Sequence, residues 1–241
     1  MAMAAQGKEI EIKLKATNVA AARRKLARLG GHVVRRAASG ADGRVHEMNT
    51  LYDTLDHSLG RNQELMRIRV EGPAKPSKGA VRHAIMTFKS PSGTSSSESG
   101  KRVSSAASQS PYKIVDEDET QIDDHEAVAR IFHSMGLRPW FRYEKFRTTF
   151  ALGATQRWAK DLEIDLDETP IGVFLELEGP PKAIDRAAKA LGFARSDYIT
   201  KNYLVLHAEH CLSRGIKVQQ VAPGVFSQIP DMLFSSARKS R

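Results

Sequence analysis

EIEIKLK, residues 9–15, puts charge at every second position. As a β-strand it alternates sides, with Glu9, Glu11, Lys13 and Lys15 on one face and Ile10, Ile12 and Leu14 on the other. A wholly charged face is either the wet front of a sheet backed by a core, or the lining of a site. Two carboxylates two residues apart stand about 7 Å from one another by backbone rise, which suits joint coordination of a divalent cation.

The pattern recurs along the chain. Arg67 and Arg69 alternate with Ile68 and Val70, Lys145 and Arg147 flank Phe146, and Glu163, Asp165 and Asp167 alternate with Ile164 and Leu166. FLELE repeats it with Glu176 and Glu178, and Lys89, Glu117 and Glu119 extend it. Around these stripes, residues 45–53, 64–71, 82–89, 111–119, 139–152, 155–168 and 172–179 read as further strands, making eight before residue 180. Helices are predicted after a Thr17 or Asn18 cap, over 124–135, from the prolines at 180 and 181, and from about 197 to 212, with Gly30, Gly136 and Gly192 as stops for the first three. Eight consecutive strands with few helices favour an α+β protein whose antiparallel sheet either covers its edges or closes on itself, and mixed charge on nearly every strand suits a polar-lined β-barrel tunnel with flanking helices better than a sandwich. In a closed barrel the inward stripes line a cavity. Acids that hold Mg²⁺ or Mn²⁺, facing bases that hold phosphate oxygens, would suit a polyphosphate ligand.

Composition narrows the rest. With 41% hydrophobic residues among 241, the chain can bury one substantial core and is not a disordered protein. A net charge of +9 predicts attraction to polyanions without choosing among nucleic acids, phosphorylated small molecules and acidic membranes. A single cysteine, Cys211, excludes an internal disulfide and argues against a cysteine zinc site; it has no base partner evident nearby in sequence. The eight histidines show no metal-ligand spacing, and Trp140 and Trp158 read as core or rim packing. No run of about 20 apolar residues occurs, so a cytoplasmic protein without a membrane segment is expected. The serine-rich stretch 90–110 lacks large apolar side chains and reads as a flexible loop, within a domain spanning 1–212; residues 213–241 read as a loosely ordered basic tail.

The ordered set of segments resembles the CYTH superfamily, the triphosphate tunnel metalloenzymes. Glu9-Ile-Glu11-Ile-Lys13 matches its ExExK signature, and LYDTLDHSLGRNQELMRIR, TFK, YEKFRTTF, LEIDLDETPIGVFLELEG and YITKNYLVL resemble later family segments over roughly residues 8–207. The resemblance implies an eight-stranded tunnel barrel in which Glu9, Glu11, Glu176 and Glu178, with Asp165 as an extra ligand or water-orienting group, hold Mg²⁺ or Mn²⁺. It implies that Lys13, Arg67, Arg69, Lys89, Lys145, Arg147 and Lys201 bind the substrate phosphates, with Lys13, Lys89, Asp165 and Lys201 closest to the chemistry. Val115 stands where many relatives carry an arginine; Lys113, Lys101 or Arg102 are the candidates to replace it.

The function expected is metal-dependent hydrolysis of a triphosphate, whether tripolyphosphate, ATP or thiamine triphosphate. A class IV adenylate cyclase, releasing cyclic AMP and pyrophosphate, is the alternative, and a noncatalytic binder of polyphosphate or RNA is a third. Nucleic acid is not the expected partner, because a purely electrostatic binder has no use for acidic pairs; a homodimer is compatible with the sequence.

Overall fold

The computed structural model describes residues 7–75, 82–92 and 110–234. In chain order the elements are β1 (Gly7–Ala16), α1 (Val19–Arg28), β2 (Gly31–Val33), β3 (Arg44–Asp53), α2 (Ser58–Arg61), β4 (Leu65–Pro73), β5 (His83–Pro91), β6 (Lys113–Ile122), α3 (His125–Ser134), β7 (Arg138–Leu152), β8 (Glu163–Thr169), β9 (Gly172–Glu178), α4 (Pro181–Ala190), α5 (Tyr203–Ser213), β10 (Gln219–Ala222) and β11 (Val225–Gln228). Strands pair antiparallel in the order β7-β3-β4-β5-β6-β1-β9-β8, and β8 pairs back onto β7 to close an eight-stranded barrel, with β2 added beside β7. Closure removes the exposed edges that an open sheet of this size would present.

Period-two alternation then sorts the side chains in an unusual way. On β1 the buried Ile12 and Leu14 face outward, where Leu26 of α1 and Ile184, Ala187 and Ala188 of α4 cover them together with Ile164, Leu166, Leu175 and Leu177. The charged partners Glu9, Glu11 and Lys13 face inward and are 6%, 5% and 3% exposed. The main apolar core thus lies between the barrel wall and its helices. A second cluster, in which Leu51, Phe141, Tyr143 and Phe174 meet Tyr203, Leu204 and Ala208 of α5, partly plugs one end of the barrel. Phe132 of α3 packs on Tyr52 and Ile68 on another outer face.

Local signals set the helix ends. Asn18, not Thr17, caps α1, its Oδ1 accepting the Ala21 N–H at 2.8 Å, and Gly30 beyond the last turn takes φ +82°. Asn18→Ala is expected to cost about 1 kcal/mol in a urea unfolding titration, leaving the fold unchanged. Asp124 and Asn202 cap α3 and α5 in the same manner. The segment expected as one strand over 155–168 divides, a short 3₁₀ turn at Arg157–Ala159 preceding β8. The helix expected from 197 begins at Tyr203, after a 3₁₀ turn at Arg195–Asp197.

The tail departs most from expectation. Residues 213–234 are packed: β10 and β11 form a hairpin, Phe226 and Met232 are buried in the plug cluster, and the Met232 backbone bonds Arg142 and Glu144 of β7 at 2.9 Å. The weak periodicity that suggested loose packing reflects apolar residues spaced without a period. The serine-rich loop falls, for residues 93–109, outside the described residues, as do Lys101 and Arg102.

Candidate functional site

A cavity of about 250 Å³ runs inside the barrel. Ten of the residues expected at the site line it: Glu9, Glu11, Lys13, Arg67, Arg69, Lys89, Lys145, Arg147, Glu176 and Glu178. Asp165 lies one layer behind, accepting a 2.6 Å hydrogen bond from Thr149 Oγ1 and pairing with Arg147 Nη1 at 2.7 Å. Lys201 does not join them; it is exposed and bonded to Glu209 at 2.5 Å. The reason is the cap: with Asn202 closing the first turn of α5, Asn202 and Tyr203 turn toward the tunnel and Lys201 turns away.

The charges are sorted by strand. On β4–β6, Arg67 Nη2 donates to Thr87 Oγ1 at 3.0 Å and to Glu119 at 3.1 Å, Arg69 reaches the same Glu119 oxygen, and Glu71 pairs with Arg69 at 2.9 Å. Where β5 and β6 meet β1, Lys89 pairs with Glu9 and, at 3.1 Å, with Glu117; Lys113 and Lys13 both contact Glu11, at 2.6 and 3.0 Å. On β7, Arg147 binds Asp167 with two 2.7 Å bonds and also meets Asp165, Glu176 and Glu47, while Lys145 bridges Asp167 and Glu47. Charges this buried persist only when paired.

Acid crowding is greatest across β1, β9 and β8. There Glu11 is opposite Glu178 and Glu178 opposite Glu163. Burial, then Glu9 and Glu11, push Glu178 up to about 7. Burial and a hydrogen bond with Glu9 push Glu117 up to about 8. Glu11 behaves oppositely, because Lys113 and Lys13 outweigh burial and hold it well below the usual carboxylate range. Burial and Asp167 push Asp165 up to about 6 against the pull of Arg147.

Among the described residues no three acidic, histidine or cysteine side chains converge on a ready-made metal cage. The donors present are nevertheless all hard carboxylate oxygens, and like-charge crowding at Glu178 is what a bound cation would relieve. The acidic row is therefore chemically suited to a hard divalent cation.

Several lining residues had no assignment from sequence. Lys113, one of the three candidates for the role that Val115 leaves open, lines the cavity. Tyr143, Asn202 and Tyr203 were missed, as was Arg36, which pairs with Glu163 from the loop after β2; Glu47, buried against Lys145 and Arg147 behind the lining, was missed too. Tyr203 donates to Asp167 at 2.8 Å, with Lys13 and Lys145 each 5.3 Å from its ring centre. The alternation of β3 could have revealed Glu47, whose inward neighbours Val45 and Asn49 carry no charge.

At the α5 end the tunnel meets a second cavity of about 650 Å³, the two sharing Leu65, Lys113 and Asn202. Tyr52, Met66, Trp140, Leu204 and Val205 give it apolar walls, and Ala222–Gly224 of the terminal hairpin complete it; Lys201 lies on its rim. Trp140 is fixed there by a 2.5 Å bond from Nε1 to the Phe226 carbonyl. Cys211 does have a base neighbour, His207 Nε2 at 3.5 Å, but that nitrogen also meets the Pro230 carbonyl at 2.9 Å, and burial pushes the thiol up, so the pair is structural.

Known proteins agree with this architecture. The PH1819 protein of Pyrococcus horikoshii superposes with a TM-score of 0.57 at 20% identity, over 84% of this chain and 99% of its own. A Vibrio parahaemolyticus protein provisionally named an adenylate cyclase superposes with 0.57 at 16% identity, over 87% and 99%. At such identities the likeness establishes the fold alone. The sequence matches no curated protein. The CYTH domain profile matches residues 7–198, most of the chain and every strand of the barrel, and with that match the chain belongs to the CYTH domain family.

Proposed function

We propose that this protein is a divalent-metal-dependent phosphohydrolase of triphosphates. The observation that carries the reading is one cavity lined by both signs of charge: lysines and arginines from β4, β5, β6 and β7 face carboxylates concentrated on β1, β8 and β9. Glu9, Glu11, Glu176 and Glu178 would hold Mg²⁺ or Mn²⁺, which supplies charge neutralisation at the phosphoryl oxygens. Lys13, Arg67, Arg69, Lys89 and Lys113, which line the cavity, would bind phosphate oxygens and offset charge that develops during transfer. Asp165 holds Arg147, which with Lys145 keeps the wall of the tunnel in charge balance.

The mouth cavity favours a second reading beside the first. Its apolar walls, continuous with the tunnel, suit an organic group attached to the triphosphate, as in ATP or thiamine triphosphate, and keep the cyclase alternative in play. A noncatalytic binder is less well supported, because seven carboxylates lining the cavity would only weaken its hold on a polyanion.

Incubating the protein with tripolyphosphate, ATP or thiamine triphosphate, each with Mg²⁺, Mn²⁺ or chelator, and identifying products is the test. Release of orthophosphate only with metal is the expected result. Cyclic AMP with pyrophosphate would replace hydrolysis by cyclisation, and binding without products under every condition would leave the binder.

A further inference from the structure

Eight cations line the tunnel among the described residues, and seven of them project from barrel strands; the eighth, Arg36, comes from the loop joining β2 to β3. That loop holds its own backbone firmly. Val34 N–H bonds the Thr149 carbonyl, Arg36 N–H bonds Ser39 Oγ, Gly40 N–H bonds the Arg44 carbonyl, each at 2.9 Å, and Ala38 is buried beneath. The Arg36 side chain, in contrast, makes a single ion pair among the described residues, to Glu163, with Asp165 attracting it from further off. That pair is open to solvent, its side chains 31% and 44% exposed, whereas Arg147 and its partner Asp167 are 10% and 0% exposed. A pair this exposed shifts an equilibrium by less than about a factor of five. Arg147 is locked by three carboxylates at hydrogen-bond range; Arg36 can exchange its partner at little cost.

The position of Glu163 sets the cost of the exchange, which the incoming ligand must offset. Glu163 stands opposite Glu178, which stands opposite Glu11, so Arg36 now neutralises one end of the most crowded carboxylate row. A phosphate entering the tunnel offers a stronger, charge-assisted acceptor to the guanidinium. We propose that Arg36 is a substrate-binding residue that leaves Glu163 for an oxygen of the bound triphosphate at the tunnel end opposite α5, leaving Glu163 free beside Glu178. The inference rests on the triphosphate reading and adds to it a phosphate ligand delivered from outside the barrel.

Isothermal titration calorimetry of the full chain with tripolyphosphate, in chelator and in Mg²⁺, tests it alongside thermal melting. Arg36→Gln is expected to weaken binding by about 10- to 100-fold in both buffers, the usual worth of a hydrogen bond to a charged group. Arg36→Lys should fall between it and the wild type, and Glu163→Gln should bind up to about five-fold more tightly, because Arg36 no longer has a competing partner. A purely structural Arg36 would instead lower the melting temperature while leaving tripolyphosphate affinity within two-fold of wild type, and that result overturns the inference alone. A wild type that binds no tripolyphosphate in either buffer removes the triphosphate reading and the inference with it.

Discussion

Arg147→Met is expected to lower unfolding stability by about 3–5 kcal/mol at pH 8. Its guanidinium makes two hydrogen bonds to Asp167, pairs with Asp165 and Glu176, and lies 3.5 Å from Glu47. All four carboxylates are less than a tenth exposed, so removing the cation strands several charges in a poorly solvated wall at once. Lys145 reaches Asp167 and Glu47 but not the other two. The sign of the pH dependence follows. Without Arg147, carboxyl groups in the folded state would hold protons more strongly than in the unfolded chain, so stability would fall as pH rises and the defect should shrink toward pH 5. Urea titrations of both proteins at pH 5 and pH 8 measure this directly. A loss below about 1 kcal/mol at pH 8 would mean that water or rearranged lysines replace the guanidinium, and the wall is less tightly built than its distances indicate.

Glu178→Gln is expected to cost at least about 100-fold in metal-dependent kcat/KM, exceeding the loss usual for groups that only support a metal ligand. Its effect on folding should be slight or favourable. Glu178 makes no hydrogen bond or ion pair among the described residues, and its carboxyl, pushed up to about 7 by burial and by Glu9 and Glu11, is disfavoured in its charged form. A carboxyl raised in this way gives stability that is present below its unfolded value near 4.5 and lost as pH rises through 7. Being partly in water, it makes this only a small term. Glu11→Gln should separate from it in stability: Glu11 neutralises Lys13 and Lys113, so its loss should destabilise the protein as well as abolish turnover. Measuring melting temperature and product formation for both variants distinguishes the two roles. Full activity in both would remove these carboxylates from the metal site.

How far the sequence led depends on periodicity. On β1, β4, β7, β8 and β9, charge at every second position marked the strand and its charged face, and the family resemblance turned that face inward, which is why Glu11, Arg69 and Glu176 could be named without coordinates. Lys201 failed for a reason of one residue: a helix cap at Asn202 decides which way its neighbours point, and a lysine one position earlier is turned outward. Arg36 left no trace, since a loop has no period and the register that brings it to Glu163 exists only after the barrel closes. The tail was misread because its periodicity is weak: Phe226 and Met232 are buried in the plug cluster, in contacts that no local pattern records.

The placement of the apolar core outside the barrel wall separates two demands that most domains must meet with the same residues. Folding strength resides in Leu14, Ile164, Leu177, Ile184 and their neighbours, none of which faces the tunnel. The inner face can therefore be rewritten in charge-matched pairs, for instance across Lys13 and Glu176, which stand opposite one another, without disturbing the packing that keeps the wall closed. A barrel of this kind is free to drift among polyanionic chemistries while its scaffold stays constant.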